Sequence, residues 1–437
     1  MSGANARLWR LAAPVILSNI SVPLLGAVDT AVMGHLPDPA FLGGVALGAL
    51  VFDYIYWGFG FLRMGTTGLV AQAHGAGDAD EVRAVLARGA LLVAGLALLV
   101  LALQGPLIRL AFDLLDASPR VDALARSYVR IRIWGAPAAL LTYVVLGWLF
   151  GLQRMMAALT LTVVANGLNI ILDLVFVLGL GWGIEGVALA TLIAEWTSAA
   201  LGLWLIARHL ARLGGGWRRH RILDRARIAA LLRVNRDIFV RTLLLISAFA
   251  WFTAQSARMG DVTLAANAVL LNFQTFMAYA LDGFANAAEA LVGEALGRGA
   301  RARLRRAVVV SSRWALAFAL GFTMVYLVLG EVLIAALTNI VEVRDMAALY
   351  LPWVVASPLI SVWSFQLDGI FIGATRGSEM RNGMILSFAL YIAVSWVTIP
   401  RWGNHGLWLA LILFLAARGV TLALWYPRIE RAADRVS

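Results

Sequence analysis

Long apolar runs, each closed by glycine, proline or a charge cluster, recur along the chain at 11–33, 42–70, 85–107, 124–150, 157–179, 184–206, 237–258, 264–292, 309–331, 346–372, 380–399 and 405–426. A bilayer crossing takes about 20 apolar residues, and none of these runs shows the period-two alternation of a half-buried strand or of an outer-membrane barrel. The pattern predicts an all-α integral membrane protein of about twelve transmembrane helices. The first run follows Arg7 and Arg10, and no small-residue cleavage site precedes Val32, so it reads as an uncleaved first helix.

Sliding the chain against itself by 222 positions brings Leu42, Ala46, Val70, Gly75, Gly77, Arg83, Gly151 and Arg154 onto Leu264, Ala268, Val292, Gly297, Gly299, Arg305, Gly373 and Arg376. Near the end of each half the offset becomes 220, and Trp182, Gly183, Gly186, Leu189 and Ala190 fall on Trp402, Gly403, Gly406, Leu409 and Ala410. Two pseudo-symmetric six-helix lobes follow, 1–207 and 237–437, joined by a basic linker, 208–236. Six is even, so both lobes enter from the same face and are related by an axis along the membrane normal. Parallel repeats of this kind enclose a substrate path at the interface between the lobes.

Composition agrees. Of 437 residues 61% are hydrophobic and 14% charged, against about 45–50% and about 25% in soluble domains. A large extramembrane domain has no room. The net charge of +11 is carried by arginine alone, for the chain has no lysine. In a soluble protein this would suggest nucleic acid; here arginines in short loops between apolar runs are the positive-inside signal. With the N-terminus inside, 26 arginines fall on the inner side and eight on the outer, which places both termini and the linker in the cytoplasm. Five of the eight exceptions lie between Arg109 and Arg132, a stretch with Asp113, Asp116 and Asp122 that is expected to form a polar outer loop. Only Arg63 and Arg418 remain inside helices. With no cysteine there is neither a disulfide framework nor a thiolate site.

A carboxylate inside a membrane costs a few kcal/mol or more, so each marks a candidate site. Asp29, Asp173 and Thr191 lie at similar depth, roughly 6–11 Å below the outer boundary at 1.5 Å per residue. Asn166, Asn169 and Asp173 are spaced i, i+3, i+7 and share one helix face, where Asn can equally serve as interhelical glue. Pro23, six residues before Asp29, removes the bond to the Asn19 carbonyl and gives the first helix a kink point. Asp53, Asp282, Asp368 and Glu195, one turn below Thr191, are secondary candidates for pathway lining, buried pairing or a proton relay. Glu289, Glu294 and Arg63 lie toward inner ends, where snorkelling explains them. Aromatic rings supply interface belts and chamber lining.

His35, His74, His209, His220 and His405 have no metal-ligand spacing, and no P-loop, Gly-x-Ser-x-Gly or His-Glu-x-x-His motif occurs. The sequence therefore predicts a transporter rather than an enzyme, needing no cofactor and binding no nucleic acid.

Several stretches carry a family resemblance: Ala12-Ala13-Pro14, Val28-Asp29-Thr30-Ala31-Val32-Met33-Gly34, Gln72-Ala73-His74-Gly75-Ala76-Gly77-Asp78, Asn169-Ile170-Ile171-Leu172-Asp173, Leu281-Asp282-Gly283-Phe284-Ala285 and Leu367-Asp368-Gly369-Ile370-Phe371-Ile372-Gly373-Ala374. In order and over nearly the whole chain, they resemble the multidrug and toxic compound extrusion (MATE) family, in its DinF branch. The resemblance implies a two-lobe exporter driven by a proton or sodium gradient, with cation coupling at Asp29, Asn169, Asp173 and Thr191. A second cation site known in another bacterial branch uses a seventh-helix glutamate, which 237–258 lacks, although Asp368 remains. The expected substrates are small amphipathic, cationic organic compounds, exported by alternating access from a functional monomer among membrane lipids. Proton coupling is favoured, while the same four residues could coordinate sodium. The rival readings are a lipid-linked precursor flippase, which should show a basic cavity, and a non-transporting membrane scaffold, which would not need carboxylates at matched depth.

Overall fold

The computed structural model describes residues 3–34, 39–115 and 118–433; the side chains of residues 22–24, 26–31, 33–34, 39 and 114–115 lie outside the description. The described chain is helical: α1 Gly3–Gly34, α2 Pro39–Gly58, α3 Phe61–Gly75, α4 Ala79–Ala102, α5 Gln104–Leu115, α6 Pro119–Arg132, α7 Ala136–Gly151, α8 Met155–Asp173, α9 Gly183–Leu213, α10 Arg219–Ile222, α11 Arg225–Arg258, α12 Asp261–Gly297, α13 Arg301–Leu337, α14 Val341–Gly373, α15 Gly377–Trp402 and α16 Asn404–Ala433. Eleven stretches among the described residues are long and apolar enough to cross a membrane, and α1 adds a helix of 32 residues. Large apolar side chains point outward from these helices, with Leu98 69%, Val328 70% and Leu424 73% exposed, an arrangement suited to lipid rather than water. The protein is an all-α membrane protein.

The chain divides into two compact units. An N-terminal unit comprises Leu17–His74 and Asp78–Ala230; a C-terminal unit comprises Met1–Ile16, Gly75–Gly77 and Leu231–Ser437. Helix α1 thus gives its first half to the C-terminal unit, where Trp9 meets Phe284, Trp314 and Phe318 at ring separations of 5.5, 5.0 and 5.6 Å. The core of that unit gathers Phe252, Tyr391, Trp408 and Phe414; the core of the N-terminal unit gathers Phe52, Phe112, Tyr128 and Val187.

The sequence repeat reappears as a packing seam. In the N-terminal unit Gly147 and Gly151 on α7 lie against the carbonyls of Arg63 and Thr67 on α3. In the C-terminal unit Gly369 and Gly373 on α14 lie against the carbonyls of Ala285 and Glu289 on α12. All four pairs of positions are 222 apart. A Cβ at any of these glycines would collide with the facing helix, so small residues spaced by four let the backbones close.

Two expectations are corrected. The stretch from Arg109 to Arg132 is not a loop but helices α5 and α6 around the undescribed 116–117. Pro119 enters the first turn of α6 and Arg126 pairs with Asp122 one turn away at 2.7 Å, which lets this charged sequence stay helical. The basic linker is also largely helical. Residues 208–213 end α9, α10 forms one turn, and 225–236 continue into α11, arginine being a good helix former.

Candidate functional site

Helix α8 presents Asn166, Asn169 and Asp173 along one face, as their spacing requires. Asn169 and Asp173 are buried. Asn169 Nδ2 donates to Thr191 Oγ1 on α9 at 3.4 Å, and Thr191 Oγ1 donates to the Val187 carbonyl at 3.1 Å. Asn166 Nδ2 donates to Ser21 Oγ on α1 at 2.9 Å, so this residue ties α8 to α1. At Asp173 the α-helix gives way to a wider π-type segment, Leu174–Gly179, a departure that recurs at functional sites. Pro23 and Asp29 lie on α1, but their side chains are outside the described residues.

One turn from Thr191 on the same helix, Glu195 faces a group that the sequence reading missed. Its Oε1 lies 3.6 Å from Arg132 Nη2. The Arg132 guanidinium lies 4.5 Å from the Phe52 ring centre and 5.7 and 5.8 Å from those of Tyr128 and Tyr56, and its Nη1 donates to the Tyr128 hydroxyl at 3.0 Å. Asp53, exposed in this structure, stands within electrostatic reach of Arg132. The α6 helix stops at Arg132 in a tight turn, Ile133–Gly135, and Gly135 packs so closely on the Glu195 carboxylate that no Cβ would fit. Arg132 Nε, Glu195 Oε2, the Tyr56 hydroxyl and Asn169 Oδ1 are buried atoms without a hydrogen-bond partner among the described residues. Unsatisfied buried groups of this kind are costly, and they gather here on the faces of α2, α6, α8 and α9.

The C-terminal unit treats its aspartate differently. Asp368 on α14 is buried and its Oδ2 accepts from both Arg241 on α11 and Arg418 on α16, the latter at 2.6 Å. Arg241 is therefore no linker arginine, and intramembrane arginines are not confined to Arg63 and Arg418: Arg132 and Arg241 join them. Arg63 lies 5.5 Å from the Phe150 ring centre. Asp282, half-buried on α12, lies within reach of the Arg418 charge. Glu289 is buried, and Glu294 is buried beside Arg7 and Arg298. A further polar cluster is fully paired: Asn267 Nδ2 donates to Ser256 Oγ and to Asn404 Oδ1, both at 2.7 Å, while its Oδ1 accepts from Asn404 Nδ2 and Trp408 Nε1, both at 2.9 Å. Such a closed set is the glue of a helical bundle. No group of three or more His, Asp or Glu able to hold a metal ion occurs among the described residues.

Two units of membrane-spanning helices, each built on the same glycine seam and each holding ionisable groups at bilayer depth, define a membrane transporter of the two-lobe type. A MatE family profile matches residues 14–175 and 238–397, and the chain belongs to that family. It is 44% identical over 428 residues to DNA damage-inducible protein F of Escherichia coli (strain K12), covering 98% of this chain and 93% of that protein. It is 28% identical to the multidrug resistance protein MdtK of Edwardsiella ictaluri, covering 97% and 95%. Among solved structures, the Vibrio cholerae MATE transporter VcmN in its bent form superposes with a TM-score of 0.86 at 22% identity, covering 99% and 98%. A MOP superfamily transporter from Pyrococcus furiosus, described as having a binding pocket of reverse polarity, superposes with a TM-score of 0.88 at 20% identity, covering 98% and 96%. These similarities identify a transporter and not an enzyme.

Proposed function

We propose that this protein is a proton-coupled multidrug antiporter of the inner membrane, exporting amphipathic organic cations, with coupling centred on Asp29, Asn169, Asp173 and Thr191. The observation that carries this reading is the buried Asp173 beside the Asn169–Thr191 hydrogen bond, in a unit whose polar atoms are incompletely paired. A carboxylate buried among helices changes the charge of its site when it gains or loses a proton, which is what coupling to a cation gradient requires. Protonation from outside neutralises the site, favours a rearranged first helix about Pro23 and weakens the hold on a cation; the empty protonated carrier then turns inward. The DinF-like, MdtK-like and VcmN-like similarities support export of small organic compounds. On this reading the lobes 1–207 and 237–437 act as a monomer, with both termini and the 208–236 linker cytoplasmic. Sodium, held by the same four residues, is the alternative coupling ion.

The aromatic ring set around Arg132, with Glu195 as counter-charge, has the chemistry of a seat for planar cations, each cation–π contact contributing about 0.5–2 kcal/mol. The reverse reading, a flippase for anionic lipid-linked precursors, draws support from the half-buried Arg132 and the buried Arg241 and Arg418. Arg132 is paired with Glu195, and Arg241 and Arg418 share Asp368, so the three arginines keep one positive charge over their two carboxylates, less than a doubly anionic pyrophosphate calls for. Proteoliposome transport with proton and sodium gradients imposed separately tests the coupling. Efflux should persist without sodium and collapse when the pH gradient is dissipated; the opposite pattern overturns proton coupling. Dyes matched in size but opposite in charge test the substrate, and equal or tighter binding of the anion at neutral pH favours the flippase.

A further inference from the structure

The repeat creates two equivalent corners, one where α3 turns into α4 and one where α12 turns into α13. In the first, carboxylates hold a segment of the chain itself. Asp80 accepts from the Gly216 amide at 2.7 Å and from Arg218 Nε at 3.2 Å, Asp78 pairs with Arg221 at 2.6 Å, and Glu81 pairs with Arg88 and Arg227. Arg83 donates to the carbonyls of Leu210 at 2.7 Å and Gly214 at 2.9 Å. The segment from the end of α9 to the start of α11 thus fills that corner.

In the second corner the charges are inverted. The positions 222 after Asp78, Asp80, Glu81 and Ala84 are Ala300, Ala302, Arg303 and Arg306. Instead of a bound segment there is a cavity of about 700 Å³. Four arginines line it, Arg7, Arg298, Arg303 and Arg306, against one carboxylate, Glu294. Glu294 pairs with Arg7 and with Arg298, whereas Arg303 and Arg306 have no carboxylate partner among the described residues. The rest of the lining is apolar, including Leu8, Leu291 and Val310. Beyond it α13 exposes Val309, Leu320, Met324 and Leu327 in succession.

We propose that this cavity binds the phosphate headgroup of an anionic phospholipid, with Arg303 and Arg306 taking the phosphate oxygens and the acyl chains running along the apolar face of α13. Guanidinium forks match phosphate geometry and carry three net positive charges here once Glu294 is counted. A free phosphate would use the arginines but leave the apolar track unused; a lipid uses both. The quasi-equivalent corner is closed by backbone and arginine on acids, and this one is closed by phosphate on arginines. Assignment to the inner leaflet rests on the orientation proposed above, whereas the binding itself does not.

The test uses the full-length protein in detergent, followed by native mass spectrometry and thermal unfolding with phosphatidylglycerol, phosphatidylcholine or inorganic phosphate. Phosphatidylglycerol should be retained selectively and should raise the unfolding midpoint. The double variant Arg303→Gln/Arg306→Gln should lose about fivefold in phosphatidylglycerol affinity for each arginine removed. The control Arg219→Gln/Arg225→Gln, with the same change in net charge, should bind normally. Ala307→Trp should fill the cavity and abolish retention with every charge intact, which keeps the test decisive if the double variant folds poorly. Equal retention of phosphatidylcholine, equal protection by inorganic phosphate, or phosphatidylglycerol binding indifferent to both variants would overturn the proposal.

Discussion

The N-terminal unit sets its buried Asp173 on one helix face with Asn169, whose amide meets the Thr191 hydroxyl, whereas the C-terminal unit commits its buried aspartate to two guanidiniums at once. Asp173 lies beside Asn169 and Thr191, and Glu195 touches Arg132 at 3.6 Å while leaving one oxygen unpaired. Asp368, by contrast, is shared between Arg241 and Arg418. Both arrangements place charge at bilayer depth, but they differ in what a proton can do. At Asp173, on the proposed function, protonation changes the charge of a site that also holds the Asn169 amide and the Thr191 hydroxyl. At Asp368 a neutral side chain would leave Arg241 and Arg418 without their shared counter-charge, so that centre ties α11, α14 and α16 together. On the function proposed above, the first unit carries the coupling and the second the scaffold.

Five substitutions and one change of pH can break or sharpen this contrast. The largest effect is expected from Asp368→Asn, which leaves Arg241 and Arg418 without a counter-charge and should cost about 3–5 kcal/mol, seen as loss of monodisperse folded protein on size-exclusion chromatography. A variant with normal yield and stability would erase the structural role assigned to the C-terminal centre. Asp173→Asn and Asp29→Asn should do the opposite, leaving yield intact while lowering efflux by more than about tenfold at equal expression. Wild-type efflux from either variant would make the N-terminal cluster merely architectural. Gly135→Ala places a methyl against the Glu195 carboxylate and should cost about 1–3 kcal/mol from overpacking, with weakened binding of cationic dyes. An unaffected dye affinity would disconnect the Arg132–Glu195 group from substrate.

The smallest effect concerns pH at the linker-bound corner. Partial burial pushes the Asp78 carboxyl up, but the hydrogen bonds from Arg221 and the Glu81 amide outweigh it and hold the group below the usual carboxylate range. Since the folded value is lowered, its stabilisation is present above the unfolded value and is lost as pH falls through the folded one. Proteolysis of the 208–236 segment should therefore accelerate modestly as pH falls below about 4, and Asp78→Asn should flatten that dependence. A profile unchanged by the substitution would assign the acid sensitivity elsewhere.

The helices and the repeat were legible because glycine and tryptophan at fixed spacing are rare by chance, and the face shared by Asn166, Asn169 and Asp173 was legible because helical geometry dictates it. Depth matched Thr191 to Asp173, whereas its hydrogen bond falls one turn away, at Asn169. Arg132 escaped because the acidic and basic residues around it resemble an outer loop; its position inside the predicted run 124–150, four residues after Tyr128, was the available signal. Arg241 escaped for a different reason. It ends a series of ten inner-side arginines, just inside the run 237–258, and its partner Asp368 lies 127 positions away, a pairing that no local spacing encodes.

The glycine seam has a consequence for how such proteins diversify. Gly147, Gly151, Gly369 and Gly373 join their helices through backbone carbonyls and, in the N-terminal unit, the uncharged Thr66 and Val70 side chains, so the joint is indifferent to the electrical character of the side chains beyond it. Two copies of one scaffold can then drift apart in polarity, one keeping a titratable interior and the other an arginine-locked one, while their architecture stays interchangeable. Helix pairs carrying this seam should therefore graft between paralogous halves as modules, bringing their charge pattern with them.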